Sequence, residues 1–306
     1  MNFLVTGAAG FLGSALANRL VKDGHIVRGL DDLSAGDPTR LASSVHFTRG
    51  DVNDRPKLWT LLHDVECVYH LAARVIVPES VLYPREYEAV NVGGTVSVME
   101  AMRDAGVKRV VLASSGAVYG EQSTQPLHEN LPPDPRSPYA VSKLSAEYYV
   151  RTIGKLWGLE TVALRIFNAY GPGQPLPAAH APVIPRFFKQ VSIGASVVVQ
   201  GDGQQTRDYV YLDDVVEALV AASTAQGVDR LVINVGSGQE TSVHELVEHI
   251  GAVLERQPES LFIKADSGGV SRMRADLTLA AKKLNFQPKV SLLEGLRLTK
   301  NLDGRF

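Results

Sequence analysis

Residues 1–14 read MNFLVTGAAGFLGS, in which Gly7, Gly10 and Gly13 follow a short apolar run and open a helical pattern. Strand, glycine-rich turn and helix in that order make the start of a nucleotide-binding unit. Glycine lets the backbone turn tightly and approach a pyrophosphate, whose charge is favoured by the helix amino end. A glycine triplet alone also occurs in ordinary strand-to-helix turns, so the context decides. Asp31 and Asp32 close the second apolar run. A carboxylate there accepts the ribose hydroxyls of NAD and repels the extra phosphate of NADP. The competing reading of this pair is a solvated loop.

Outward from this start, apolar runs at 3–6, 26–30, 45–48, 67–71, 109–113 and 161–165 read as strands. The stretches 12–23, 57–63, 86–105 and 139–157 show helical apolar spacing. Continuously apolar strands alternating with helices predict an α/β fold: a doubly wound (Rossmann) parallel sheet, with its ligand beyond the carboxyl ends of the strands. After Arg165 the chain turns rich in Pro and Gly across 168–181. It then reads as helix at 183–193, strand at 197–199, helix at 213–223, strand at 231–234 and helix at 242–256 capped by Ser242. Residues 1–167 are expected mainly to bind the dinucleotide. Residues 168–306 are expected mainly to form a smaller substrate lobe, interleaved with the last elements of the sheet.

Composition narrows the function. A chain of 306 residues is long enough for one large core with an attached lobe. The net charge of -2 gives no electrostatic reason to expect nucleic acid or an anionic membrane. Cys67 is the only cysteine, which excludes an internal disulfide, and its apolar surroundings read as inert core. The start Phe3-Leu4-Val5 lacks a basic segment before it and makes a poor signal peptide. No apolar run approaches the ~20 residues that span a bilayer. The expected location is the cytoplasm, and no metal site is expected.

Residues 137–145, SPYAVSKLS, place Tyr139 and Lys143 on one face of a helix. A free phenol has a pKa near ~10 and is a poor base at neutral pH. A nearby ammonium and the charge of oxidised nicotinamide both favour phenolate. Lys143 is placed to do this and to hold the nicotinamide ribose. Such pairs also arise by chance on exposed helices. This one opens a helix that follows a strand ending Ala113-Ser114-Ser115, where the Ser115 hydroxyl can bond a reacting alcohol oxygen. Gly50-Asp51-Val52 stands where adenine would be met, and Leu71-Ala72-Ala73 offers small residues along the path of a cofactor.

Taken in order, the glycines, Asp31, His70-Leu71-Ala72-Ala73, Asn91-Val92-Gly93-Gly94-Thr95, Ser114-Ser115-Gly116-Ala117-Val118-Tyr119-Gly120, Tyr139, Lys143, Arg165-Ile166-Phe167-Asn168-Ala169-Tyr170-Gly171-Pro172 and Thr206-Arg207-Asp208-Tyr209-Val210 carry a resemblance. Over essentially its whole length the chain resembles the extended short-chain dehydrogenase/reductase family. Within that family it is similar to the NAD-dependent nucleotide-sugar epimerases of the UDP-galactose 4-epimerase type. The resemblance implies that NAD meets Gly7, Gly10, Phe11, Leu12, Gly13, Asp31, Asp32, Asp51, Val52, Leu71, Ala72, Ala73, Asn91, Ser114, Tyr139, Lys143 and Phe167. It implies that Tyr139 takes the proton of the sugar 4-hydroxyl while hydride leaves C4. The 4-keto sugar then turns over and receives hydride on its other face, with no external reductant. Ser115, Tyr139 and Asn168 would contact the sugar, and Arg207 the diphosphate, for which a guanidinium fork is suited. Val183, Arg186 and Val199 would hold the base. Met273 falls where bulk gates the C2 substituent, and a large side chain there suggests UDP-glucose and UDP-galactose. A homodimer through the helices at 86–105 and 139–157 is also implied.

Other readings remain to be weighed. A nucleotide-sugar 4,6-dehydratase would carry an Asp-Glu pair where this chain has Gly116-Ala117, which cannot transfer protons. A 4-ketoreductase shares the Ser/Tyr/Lys set but turns over NADPH, which the two aspartates disfavour. A catalytically silent NAD-binding protein need not keep both Tyr139 and Lys143. Asp266 stands where these epimerases place a diphosphate-binding Arg, and Gly269 replaces an Asp. Lys264, Arg272 or Arg274 would have to substitute, or the substrate differs. Arg74 puts a cation at the pocket rim, which keeps UDP-glucuronate open beside UDP-N-acetylhexosamine; the competing reading is a surface arginine. The proline-rich stretch 121–136 is expected to border the pocket.

Overall fold

The computed structural model describes residues 1–264 and 270–306. The two positions where an Arg and an Asp were expected, Asp266 and Gly269, lie outside the described residues. The first half runs β1 (Asn2–Thr6), α1 (Phe11–Lys22), β2 (Ile26–Asp31), β3 (His46–Arg49), α2 (Arg55–Leu61), β4 (Cys67–His70), α3 (Val77–Leu82), α4 (Pro84–Tyr87), α5 (Gly94–Ala105), β5 (Arg109–Ser115), α6 (Pro138–Trp157) and β6 (Glu160–Ile166). The second half runs β7 (Asn168–Tyr170), α7 (Val183–Ser192), β8 (Val197–Gln200), β9 (Thr206–Arg207), β10 (Tyr209–Tyr211), α8 (Leu212–Thr224), β11 (Leu231–Val235), β12 (Thr241–Ser242), α9 (Val243–Leu254), β13 (Ser260–Ile263), α10 (Thr278–Leu284) and α11 (Leu292–Leu302).

Seven strands form one parallel sheet in the order β3-β2-β1-β4-β5-β6-β11. Alternation along β1 shows why its sequence is apolar throughout. Phe3 and Val5 enter one core with Leu16, Leu20, Tyr69 and Leu219, while Leu4 enters the other with Val68, Val110, Met99 and Val150. Burying each such side chain contributes about 1.5–3 kcal/mol. Strand order reverses between β1 and β4, which opens a crevice at their carboxyl ends, beside Gly7 and Leu71. Cys67 is fully buried in β4, and burial pushes its thiol up to about 12, as its core reading requires.

A separate core holds Ile184, Phe187, Phe188, Val199, Tyr209, Leu246, Ile250 and Leu296 beyond the sheet. Ser242 caps α9 through a reciprocal bond with Glu245. The single helix expected at 86–105 is three pieces: α4, a π-helical turn at Glu88–Gly93, and α5. α3, α10, α11 and β13 have no counterpart in the sequence reading. Among the described residues no helix is long and apolar enough to cross a membrane.

Candidate active site

The crevice is built on a backbone that tolerates no side chain. Gly7 has φ +70°, and a Cβ there would stand 2.7 Å from the Ala72 nitrogen. A Cβ on Gly13 would collide with the Gly7 carbonyl oxygen. The turn closes by Gly10 N–H donating to the Gly7 carbonyl at 3.1 Å. α1 starts at Phe11 with Gly10 as its cap and no capping side chain, so its first N–H groups face the crevice. These features fit a dinucleotide pyrophosphate.

The two aspartates separate. Asp31 is buried and accepts from Ala9 N–H at 3.0 Å and Leu33 N–H at 2.8 Å, which holds its carboxylate beside the glycine turn. Burial raises its pKa, opposed by those two donors. Asp32 is exposed and accepts from the Ser34 N–H and hydroxyl. Asp51 is likewise exposed and bonded to Asn53 N–H, while Val52 beside it is buried. Leu71 and Ala72 are tied to Thr6 at the end of β1, and Ala73 follows in the half-buried loop. Asn91 holds that loop: its Oδ1 accepts from Arg74 N–H at 2.8 Å, and its Nδ2 donates to the Arg74 carbonyl and the Ser142 hydroxyl. Both of its amide protons are thereby used within the protein. Ser142 in turn donates to the Tyr139 carbonyl at 2.8 Å, so Asn91 fixes the first turn of α6.

That helix opens with Ser137 as cap and Pro138 in its first turn. Tyr139 and Lys143 point into the protein, 8% and 5% exposed. Burial raises the Tyr139 phenol, and the Ser115 hydroxyl opposes this. The sequence led us to expect a phenol lowered by Lys143; within the chain alone burial raises it instead. Burial lowers the Lys143 ammonium to about 8, with Glu147 opposing, and its Nζ donates to the Ala113 carbonyl at 3.0 Å. His70 lies between the hydroxyls of Thr6 (2.8 Å) and Thr95 (3.0 Å) and is held neutral, its pKa lowered to about 3 by burial and by Lys143. Ser114 bonds Glu147.

On the other wall, the Asn168 N–H donates to the Asp208 carbonyl at 3.0 Å. The Asp208 carboxylate is fully buried and accepts from Ser237, Gly238 and Ala275 N–H groups. That clamp brings the Met273–Ala275 segment beside Asn168 and Arg207. It also removes Asp208 as an ion-pair partner for Arg207, whose Nη1 donates instead to the Thr206 carbonyl. Met273 is buried with Phe167, and its Cε lies 3.3 Å from where a Gly116 side chain would begin. Ser115, Phe167 and Met273 therefore converge. Val183 opens α7, Arg186 lies on it half-buried with no hydrogen-bond partner for Nε among the described residues, and Val199 is buried on β8. The stretch 121–136 runs against this wall: Leu127 N–H donates to the Arg274 carbonyl at 2.7 Å.

Of the candidate replacement cations, Arg272 is paired with Glu240, while Arg274 has a buried Nε with no partner among the described residues. Arg74 is paired with Glu79 and Glu86, which removes the free cation on which the uronate reading leaned. Glu147 and Arg165 were not singled out for the site. The signal was a carboxylate one turn past Lys143 on the same helix face.

A family model described as the NAD dependent epimerase/dehydratase family matches residues 3–236. The chain is 42% identical to a UDP-glucose 4-epimerase of Mycolicibacterium smegmatis, covering 98% of this chain and 97% of that protein. It superposes on a UDP-glucose 4-epimerase of Thermotoga maritima with UDP-glucose at a TM-score of 0.95, with 36% identity over 99% of this chain and 98% of the other. A UDP-N-acetylglucosamine 4-epimerase from Methanobrevibacter ruminantium, in complex with UDP-N-acetylmuramic acid, gives a TM-score of 0.93 at 34% identity over 98% and 97%. With a glycine cradle, a carboxylate beside it and a buried Tyr/Lys pair at the crevice, the protein is an NAD-using member of the NAD dependent epimerase/dehydratase family.

Proposed function

We propose that the protein interconverts UDP-glucose and UDP-galactose by epimerisation at C4. Its reaction class is NAD-dependent 4-epimerisation of a UDP-sugar. The observation that carries the reading is Tyr139 and Lys143 buried on one face of α6, with Lys143 bonded to Ala113 on the strand that ends in Ser115, and no acid–base pair at Gly116-Ala117. NAD, when bound, supplies a hydride acceptor that also returns the hydride. Residues 1–167 mainly hold it, through the glycine turn and Asp31, and residues 168–306 mainly hold the sugar nucleotide. Tyr139 removes the 4-hydroxyl proton, Ser115 bonds the oxygen on which charge develops, and Lys143 provides the nearby positive charge. Returning the proton from Tyr139 to that oxygen would restore the protein. Asn168 lies along the sugar and Arg207 meets the diphosphate, with Arg274 beside it in place of the displaced family arginine. Buried Met273 leaves little room for a C2 acetamido group, which favours a plain hexose.

The protein works as a homodimer in the cytoplasm. Val141, Tyr148, Tyr149 and Leu156 are exposed on α6. A groove of about 550 Å³ beside them is lined by Val92, Pro138 and Val141. Such a face on two copies makes a helical interface.

The hydride route is tested by running the reaction in deuterated water. Protium retained at C4 of the epimerised sugar is the expected result. Solvent deuterium at C4 would contradict it, because deprotonation at carbon rather than hydride return would then set the configuration.

A further inference from the structure

A buried ion pair lies directly behind the reacting groups. Glu147 is one turn past Lys143 and two past Tyr139 on α6, so the three share a helix face. Its carboxylate accepts the Ser114 hydroxyl at the end of β5 and two bonds from Arg165 on β6, Nε at 2.9 Å and Nη2 at 2.8 Å. The Glu147 and Arg165 side chains are 2% and 5% exposed. The guanidinium also stacks 4.6 Å above the Tyr119 ring, whose hydroxyl donates to Asn234 Oδ1 at 2.8 Å. Asn234 Nδ2 reaches the Leu127 and Asp276 carbonyls. A chain of hydrogen bonds with one cation–π contact, Arg165 on Tyr119, thus joins the catalytic helix to the wall that carries Met273.

Stability alone is a weak reason for this arrangement. Removing two charges from water costs several kcal/mol per ion, and apolar residues of similar volume often serve a fold as well or better. What an apolar pair cannot do is hold a hydroxyl and present a charge. Ser114 is the residue before Ser115, and Glu147 is the group that supports the ammonium of Lys143 against burial. Among the described residues, neutral His70 from β4 faces Lys143, Tyr87 from α4 lies edge-on to Tyr139 at 6.4 Å, and the Glu129 carboxylate, which accepts from Asn234 N–H, lies on the Arg165 side of the pair.

Resting on the acid–base roles given above to Ser115, Tyr139 and Lys143, we propose that Glu147 and Arg165 are positioning residues. They pin Ser114, and with it the Ser115 hydroxyl, to the helix face bearing Tyr139 and Lys143, and they set the charge that Lys143 faces.

The test uses NAD-saturated protein in two forms, E147Q and the charge-free double variant E147L/R165M, which leaves neither ion buried alone. Circular dichroism and NAD affinity establish the fold. In the folded double variant kcat should fall about tenfold or more while KM moves less than about threefold, the pattern of a lost transition-state arrangement. The Tyr139 phenol, read as the ultraviolet titration difference against the same protein carrying Y139F, should ionise at higher pH than in the wild type. An unchanged kcat and an unchanged phenol titration in the folded double variant would overturn the proposal. Should the double variant not fold, E147Q decides: it keeps the shape but loses the charge, so the alkaline limb of kcat/KM should move to lower pH, and an unmoved limb overturns the proposal. If the wild type converts no UDP-sugar, the function proposed above fails, while the phenol titration, which needs no substrate, still decides the positioning role.

Discussion

The Lys143 ammonium donates to the Ala113 carbonyl at 3.0 Å, which ties the cation of α6 to the strand that ends in Ser115. This bond holds Lys143 inside the protein, and burial lowers it from 10.5 to about 8. Between those values the unfolded chain binds a proton that the folded chain has released. Lys143 therefore makes stability rise with pH across that window and imposes a penalty below it. The variant Lys143→Met should lose most activity and yet show a higher urea midpoint than the wild type at pH 7. A lower midpoint would contradict the buried ammonium.

His70 gives the opposite end of the pH scale. Its folded value of about 3 lies below the ordinary 6.5, so its contribution is complete above pH 6.5 and is lost as pH falls toward 3. One proton is worth about 1.4 kcal/mol per pH unit in that window. Urea unfolding of His70→Asn at several pH values should show a shallower loss of stability between those limits than the wild type. Identical slopes would mean that His70 is not held neutral.

Tyr139→Phe removes the proton acceptor and leaves the ring. Turnover should fall by about 10²–10⁴-fold, with NAD affinity unchanged by calorimetry. Retained turnover would sink the assignment of Tyr139 as the base and favour a protein that only binds NAD.

Asp31 and Asp32 were read alike from sequence but sit differently, so they should respond differently. Asp31→Ser should weaken NAD and narrow its preference over NADP, since its carboxylate is held beside the glycine turn, where we propose that the ribose lies. Asp32→Ser should leave cofactor affinity within about twofold, because a surface substitution away from such a site typically shifts energies by about 0.5 kcal/mol or less. Equal effects in a binding titration would refute this division.

The sheet was legible because its strands are buried on both faces and so carry unbroken apolar runs, from 3–6 to 161–165. The glycine turn and the Tyr139/Lys143 pair were legible because each chemistry demands residue types at a fixed spacing. The π turn at Glu88–Gly93 was not, since one extra residue in a turn barely disturbs helical periodicity. The paired strands β9 and β12 have two residues each, too short for any pattern to show. Asn91 could be read as polar and near the site, but its use of both amide protons on Arg74 and Ser142 depends on how α6 packs across the π turn. Glu147 was visible as a charge. That it is buried follows only from the register of β5 with β6, which sets Ser114 beside Arg165.

The most direct test of the central claim is a proton NMR time course with UDP-galactose, UDP-glucose, their N-acetylated forms and UDP-glucuronate, each alone and without added NAD(P)H. UDP-galactose and UDP-glucose should each move to the same stable mixture of the two, while the N-acetylated sugars and the uronate stay unchanged. No conversion of any of the five, with NAD shown to be bound, would contradict the account.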